Sequence, residues 1–236
     1  MKAYDLHVHS IFSEGKNTLE EIASTAKILG YQGFCLTAYF KGMDQIKELK
    51  EEIEKVSKGV EIFFGFEARN QKELEKLVVI RKKYDLLLVG GGDLELNRIA
   101  CETPEVDILT HPEIERSDSG LNHVLVNLAA KNNVAIEINF REILFSSKKT
   151  RSRIISNISR NVKLAQKFHA PLVLCSGAVS KWELRDPQAL ASFATLLGMS
   201  FSSAKDSIST VPEKILKQSK ERRSENWILP GVKVVK

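Results

Sequence analysis

"YDLHVHS", Tyr4 to Ser10, decides the fold: it reads as a buried first strand that ends on two histidines one residue apart. Alternation along a strand puts His7 and His9 on one side, roughly 7 Å apart, where the chain leaves the sheet. Outward from this stretch, apolar strand-like runs alternate with helical patterns to the end of the chain. The runs are Ala3–Val8, Phe34–Tyr39, Glu61–Glu67, Asp85–Val89, Val106–Leu109, Val134–Asn139, Leu172–Cys175 and, weakest, Met199–Ser202. Between them Leu19, Ile22, Ala23, Ala26 and Leu29 recur at helical spacing, as do Leu121, Val124, Leu125, Leu128 and Ala129. Thr18 with Glu21 reads as a capping box, and Pro187 and Pro212 suit first helical turns.

Strands such as "DLLLV" and "LVLC" are apolar throughout, as when helices cover a parallel sheet. About eight β–α units is the count of an α/β, TIM-like (β/α) barrel. An open doubly wound sheet is the alternative, but no G-x-G-x-x-G turn follows the first strand. The weak eighth strand predicts an irregular closure. The expected organisation is one barrel over residues 1–218 and a basic C-terminal extension over 219–236.

Hydrophobic residues make up 43% and charged residues 28%, ordinary for a globular protein. No apolar run approaches the roughly 18 residues that span a bilayer, and no signal segment opens the chain, so a cytoplasmic protein with no membrane partner is expected. Cys35, Cys101 and Cys175 are odd in number and far apart, which fits reduced, buried thiols. The net charge of +5 is unevenly spread. From Ile143 to Trp182 there is no Asp or Glu, while Lys148, Lys149, Arg151, Arg153, Arg160, Lys163, Lys167 and Lys181 give +8; the rest sums to −3. Over Arg151–Phe168, Ile154, Ile155, Ile158, Val162 and Ala165 fall on one helical side and Arg153, Arg160, Lys163 and Lys167 on the other. Such a stripe is either a solvated exterior or a polyanion-binding face, and the missing acids favour the second. Lys148, Lys149 and Arg151 lead into it. "IRKKY" and "KQSKERR" read as solvated helix ends. At 7% aromatic and with no stacking signature, reading of single-stranded bases is not expected.

The polar residues at strand ends suggest a metal centre. His7, His9, Glu67 and His111 offer an N/O set suited to zinc or manganese, with Glu137 and Asn139 near by on strand six. The competing reading is hydrogen-bonded structural histidines. "DLHVHS" resembles the opening motif of the PHP superfamily, barrel metallohydrolases that cleave phosphoesters. In "LTAYF", Ala38 and Tyr39 stand at that superfamily's Asp and His positions, and in "CSGAVS" Gly177 and Val179 stand at two more ligand positions. Glu67 in "GFEA" and His111 in "LTHP" match. The resemblance thus implies a vestigial site able to hold a single residual ion.

From "HPEIERSDSGLNHVLVNLAAKNNVAIEINFREIL" through "KLAQKFHAPLVLCSGAVSKWELRDPQAL" to "LPGVKVV" the chain resembles the ribonuclease P protein component 3 family, in its archaeal rather than eukaryotic form. That resemblance implies a subunit that does not itself cut. A catalytic RNA with Mg²⁺ removes the 5′ leader from precursor tRNA, while the proteins, which need no cofactor of their own, stabilise the RNA fold. The implied partners are the catalytic domain of ribonuclease P RNA, protein component 2, the other ribonuclease P proteins and, indirectly, precursor tRNA. A stand-alone metal-dependent phosphoesterase of the PHP type is the alternative.

Overall fold

In the computed structural model, which describes residues 2–56, 59–224, 226–229 and 232–233, strands and helices alternate as expected. The first half runs β1 (Tyr4–Val8), α1 (Leu19–Ile28), β2 (Gly33–Ala38), α2 (Met43–Val56), β3 (Glu61–Ala68), α3 (Gln71–Val79), β4 (Leu86–Gly90) and α4 (Leu94–Glu102). It continues with β5 (Ile108–Thr110), α5 (His123–Asn132), β6 (Ala135–Asn139), α6 (Phe140–Leu144), α7 (Lys148–Phe168) and β7 (Leu172–Cys175). The C-terminal part holds α8 (Pro187–Leu196), α9 (Phe201–Asp206), α10 (Thr210–Arg222) and a small ribbon of β8 (Trp227–Leu229) and β9 (Val232–Lys233). The Thr18 capping box opens α1, and Pro187 begins α8.

Strands β1 to β7 form one parallel sheet in sequence order. Two apolar clusters explain why their sequences look continuously hydrophobic. Val8, Leu36, Phe66, Leu87, Leu109, Ile136 and Leu174 belong to the cluster packed with the helices. Leu6, Cys35, Leu88, Ile108, Ala135, Val173 and Cys175 form a second cluster, the barrel interior. Ile215 of α10 joins that inner cluster, with Val211 and Leu216 packed against it. Helix α10 therefore plugs the end of the barrel opposite the strand C-termini.

The sheet nearly closes, and it does so without an eighth strand. Met199 and Ser200 link α8 to α9, and the Ser200 hydroxyl accepts from the Ser203 amide as a helix cap, so the expected strand at Met199–Ser202 is a helix start. Near the strand C-termini, β1 and β7 are joined by a bridge of Val8 with Ala178, the His9 amide donating to the Ala178 carbonyl at 2.8 Å. At the other end the α9–α10 link patches the seam: Leu174 donates to Ser207 and Tyr4 to Ile208, at 3.0 and 2.9 Å. This is the irregular closure anticipated from the weak eighth strand.

Two basic stretches read as solvated helix ends serve instead as internal fasteners. Arg81 and Arg222 are buried and grip opposite oxygens of buried Asp107, at 2.5 and 2.7 Å. Asp107 also accepts from the Leu87 amide at 2.8 Å. Arg223 pairs with Asp85, and the buried Ser219 hydroxyl donates to the Asp85 carbonyl. Helix α10 runs unbroken through the boundary expected at 218/219, because these contacts tie its last turn to the barrel base. Of the expected basic extension, residues 225, 230–231 and 234–236 lie outside the described residues. No helix among the described residues is long and apolar enough to cross a membrane. Removing one partner of a buried ion group costs about 3–5 kcal/mol. Asp107→Ala should lose about that much stability in urea unfolding, whereas Lys47→Ala, in an exposed pair on α2, should lose less than about 1 kcal/mol.

Candidate functional site

The strand C-termini surround a pocket of about 390 Å³ lined by His7, His9, Glu67 and His111 together with Tyr39, Arg69, Asn139 and Arg141. All four candidate ligands named from the sequence meet there. A register shift between β1 and β2 falls between Asp5 and Val8. Tyr4 and Leu6 point into the barrel and Val8 toward the helices; the shift then lets His7 as well as His9 turn inward.

Glu137 on β6 organises this pocket, and the ligand set drawn from the sequence omitted it. Its Oε1 lies 2.7 Å from His7 Nδ1, while its Oε2 accepts from the His111 backbone at 3.1 Å and from Asn139 at 3.2 Å. Both His7 and Glu137 are buried. Burial opposes charge on His7, but Glu137, with Glu67 and Asp5 further out, outweighs it and raises the imidazole to about 9. Burial works against the Glu137 carboxylate as well, and the facing His7 charge brings it down to about 2. Burial and the His7 charge hold His9 neutral, down to about 3. His9 Nδ1 sits 3.1 Å from the Thr37 carbonyl and 3.0 Å from the Ser13 hydroxyl, and its Nε2 is 3.0 Å from His7 Nε2.

Two overlapping donor groups share His7: His7, His9 and Glu67, and His7, His111 and Glu137, each with ligand atoms within 4.8 Å of one another. In the first group the His7–Glu137 contact is the carboxylate–histidine arrangement that orients a metal-binding imidazole. Asn139 closes the space beside Gly177. Gly177 has φ +63°, and a Cβ there would meet the Asn139 amide at 2.5 Å, so no ligating side chain fits. Ala38 and Val179 are buried and apolar. Tyr39 lies beside His9, its ring covered by the Arg69 guanidinium at 4.4 Å. After β4, the Asp93 carboxylate caps α4 by accepting from the Leu96 amide.

The second feature is α7, 21 residues long. Lys148, Lys149, Arg151, Arg153, Arg160, Lys163 and Lys167 are all exposed, and Ile158, Val162 and Ala165 are buried, as the helical periodicity required. Arg153 to Lys167 spans about 21 Å of helix. Arg151 stands apart, since its guanidinium folds back onto the Ser146 carbonyl. Two buried amides dock the helix on the loop after β5: Asn157 donates to Asp118 at 2.7 Å and Asn161 to Ser119 at 2.8 Å. Periodicity marks both asparagines as inward-facing, but nothing in the sequence names their partners.

His7 is therefore a structural residue whatever else it binds. His7→Ala strands a buried carboxylate and should cost about 3–5 kcal/mol in chemical denaturation. His9→Asn, which removes a neutral ring, should cost clearly less.

Comparison with known proteins adds three findings. The family model described as RNase P subunit p30 matches residues 2–224. Ribonuclease P protein component 3 of Methanosarcina mazei is 40% identical over 98% of this chain and 95% of its own length. That of Methanothermobacter thermautotrophicus is 34% identical over 94% and 91%. A chain in the cryo-EM structure of archaeal ribonuclease P with mature tRNA superposes with a TM-score of 0.81, at 30% identity and 98% coverage of both chains. A probable 2-pyrone-4,6-dicarboxylic acid hydrolase from Acinetobacter baumannii, with a TM-score of 0.57 and 10% identity, shares the fold alone. With the family model matched along almost the entire chain and close relatives matched over nearly their full length, this protein belongs to the RNase P subunit p30 family.

Proposed function

We propose that the chain serves ribonuclease P as a non-catalytic, RNA-binding barrel. It holds the catalytic RNA in the fold that, with Mg²⁺, removes the 5′ leader from precursor tRNA. The observation that carries this reading is the exposed basic face of α7, a helix with no Asp or Glu of its own, on a member of the RNase P subunit p30 family. Arg153, Arg160, Lys163 and Lys167 bind phosphates along one side of a folded RNA, and Lys148 and Lys149 extend the track. Arg151 shapes the start of the helix. Ribonuclease P protein component 2 works with this chain on the RNA's catalytic domain, and the other ribonuclease P proteins are partners in the same cytoplasmic complex.

The rim pocket, in this reading, keeps a single ion site without hydrolytic work. His7, His9 and Glu67 would hold the ion, which when bound would supply positive charge to the rim. Glu137 orients His7 through Nδ1, and Asn139 fills the space that a second ion would need. A stand-alone phosphoesterase requires ions about 4 Å apart with a polarised water between them, and Ala38, Gly177 and Val179 give a second ion nothing to bind.

Reconstitution tests the proposal. Precursor-tRNA cleavage by a cognate ribonuclease P RNA at low Mg²⁺ should require this chain together with component 2. Arg160→Ala/Lys163→Ala should weaken RNA binding and lower the slope of log affinity against log salt by about one for each phosphate left without its cation. His9→Asn should cleave normally. Loss of cleavage in His9→Asn with RNA affinity intact would support the hydrolase reading. The ion site has its own readout: Zn²⁺ titration by calorimetry should reach one equivalent in the wild type and none in His9→Asn.

A further inference from the structure

Although the sequence carries no base-stacking signature, one cavity beside the basic helix is furnished for a nucleobase. It opens between α6 and α7 and holds about 350 Å³, at the small end of the roughly 300–1,000 Å³ typical of ligand sites. Phe145, Arg141, Glu142, Ser146 and Arg153 are among its walls. Phe145 caps the end of α6 and is 63% exposed. The Arg141 guanidinium lies 4.8 Å from the centre of its ring and is itself held by Glu183 at 3.1 Å. The ring is thus braced on one side, and the rest of its surface is free to stack.

The other walls supply complementary chemistry. Arg153 is the first residue of the α7 stripe, exposed, and its side chain makes no ion pair or hydrogen bond among the described residues. The Glu142 carboxylate likewise has no side-chain partner among them; only its backbone amide is engaged, donating to Asn139. An ionised carboxylate accepts and never donates. It therefore favours a base edge with two adjacent donors, which guanine presents at N1–H and N2–H₂. Adenine and cytosine set a ring acceptor beside their amino group. Deeper in the cavity, buried Glu113 has an Oε1 with no hydrogen-bond partner, an unmet polar demand at the same place.

We propose that this cavity takes one unstacked guanosine nucleotide of an RNA strand, its base on Phe145, its Watson–Crick edge on Glu142 and its phosphate on Arg153. The inference rests on the RNA-binding reading of α7. Arg160, Lys163 and Lys167 continue the track from Arg153 and would receive the neighbouring phosphates. The phosphate of a free nucleotide would meet Arg153 alone.

Two RNA hairpins with the same stem, one carrying a single bulged guanosine, test this by fluorescence anisotropy with the full chain at fixed salt. The bulged hairpin should bind about tenfold tighter, the effect of stacking one base. Phe145→Ala should abolish the preference, Phe145→Trp should keep it, and a bulged adenosine, which stacks but cannot offer Glu142 two donors, should keep only part of it. Lys163→Ala should weaken both hairpins alike. Equal binding of the two hairpins by the wild type, with salt dependence through α7 intact, overturns the cavity assignment and leaves the RNA-binding reading standing. Failure to bind either hairpin removes both. Displacement of the bulged hairpin by GMP at equal concentration overturns the assignment to a strand.

Discussion

The paired charges of His7 and Glu137 are the constraint on which the rim depends. A carboxylate cannot stay ionised inside a barrel unless partners surround it, and Glu137 has three: the His7 ring, the His111 amide and the Asn139 side chain. These come from β1, the loop after β5 and β6 itself, so one buried charge fixes elements from both sides of the imperfect seam. The same pairing sets the chemistry. It charges His7, and that charge helps keep His9 neutral a hydrogen-bond length away. Asn139 serves both purposes, satisfying Glu137 while filling the space beside Gly177. The rim pocket of this TIM-like barrel is a hydrogen-bonded cluster whose two overlapping donor groups share His7.

The base of the barrel is held by a matching device. Asp107 accepts from Arg81, Arg222 and the Leu87 amide, so a helix from the C-terminal part is fastened under strands β4 and β5. Between the two ends lies an apolar interior that needs no cofactor to stay filled. With both ends fixed, α7 is presented as a rigid rod, docked by Asn157 and Asn161 and free along its basic side. Counterion release rewards a surface whose cations are already in place. The absence of Asp and Glu from α7 itself matters for the same reason, since carboxylates on the helix would neutralise the lysines before any phosphate arrived; the nearby Asp118 carboxylate faces Arg160.

Much of this was legible in the sequence because it rests on periodicity and local chemistry. The seven strands, the Thr18 capping box, the exposed side of α7 and the convergence of His7, His9, Glu67 and His111 follow from spacing alone. The failures were all tertiary. Met199–Ser202 has strand-like composition, but Ser200 finds a helix amide to cap, and hydrogen bonds from Tyr4 and Leu174 close the seam instead. Arg81, Arg222 and Arg223 look like solvated helix-end charges until Asp107 and Asp85, far away in sequence, come within reach. Glu137 was visible on β6, but its role depends on a partner 130 residues away. The cavity between α6 and α7 was hidden because its walls come from two helices and the loop after β5, whose packing no local pattern encodes.

The most direct test of the claim that α7 is the RNA-facing side uses the absence of competing thiols at the surface, since Cys35, Cys101 and Cys175 are all buried. A single cysteine at exposed Gln166 on α7, carrying a tethered iron chelate, would generate hydroxyl radicals in the assembled complex, with Lys47→Cys on α2 as the comparison. Strand cleavage of the ribonuclease P RNA confined to a few neighbouring nucleotides from position 166, and none from position 47, is the predicted result. Cleavage from position 47 and silence from 166 would place the RNA on the opposite side of the barrel and contradict the account.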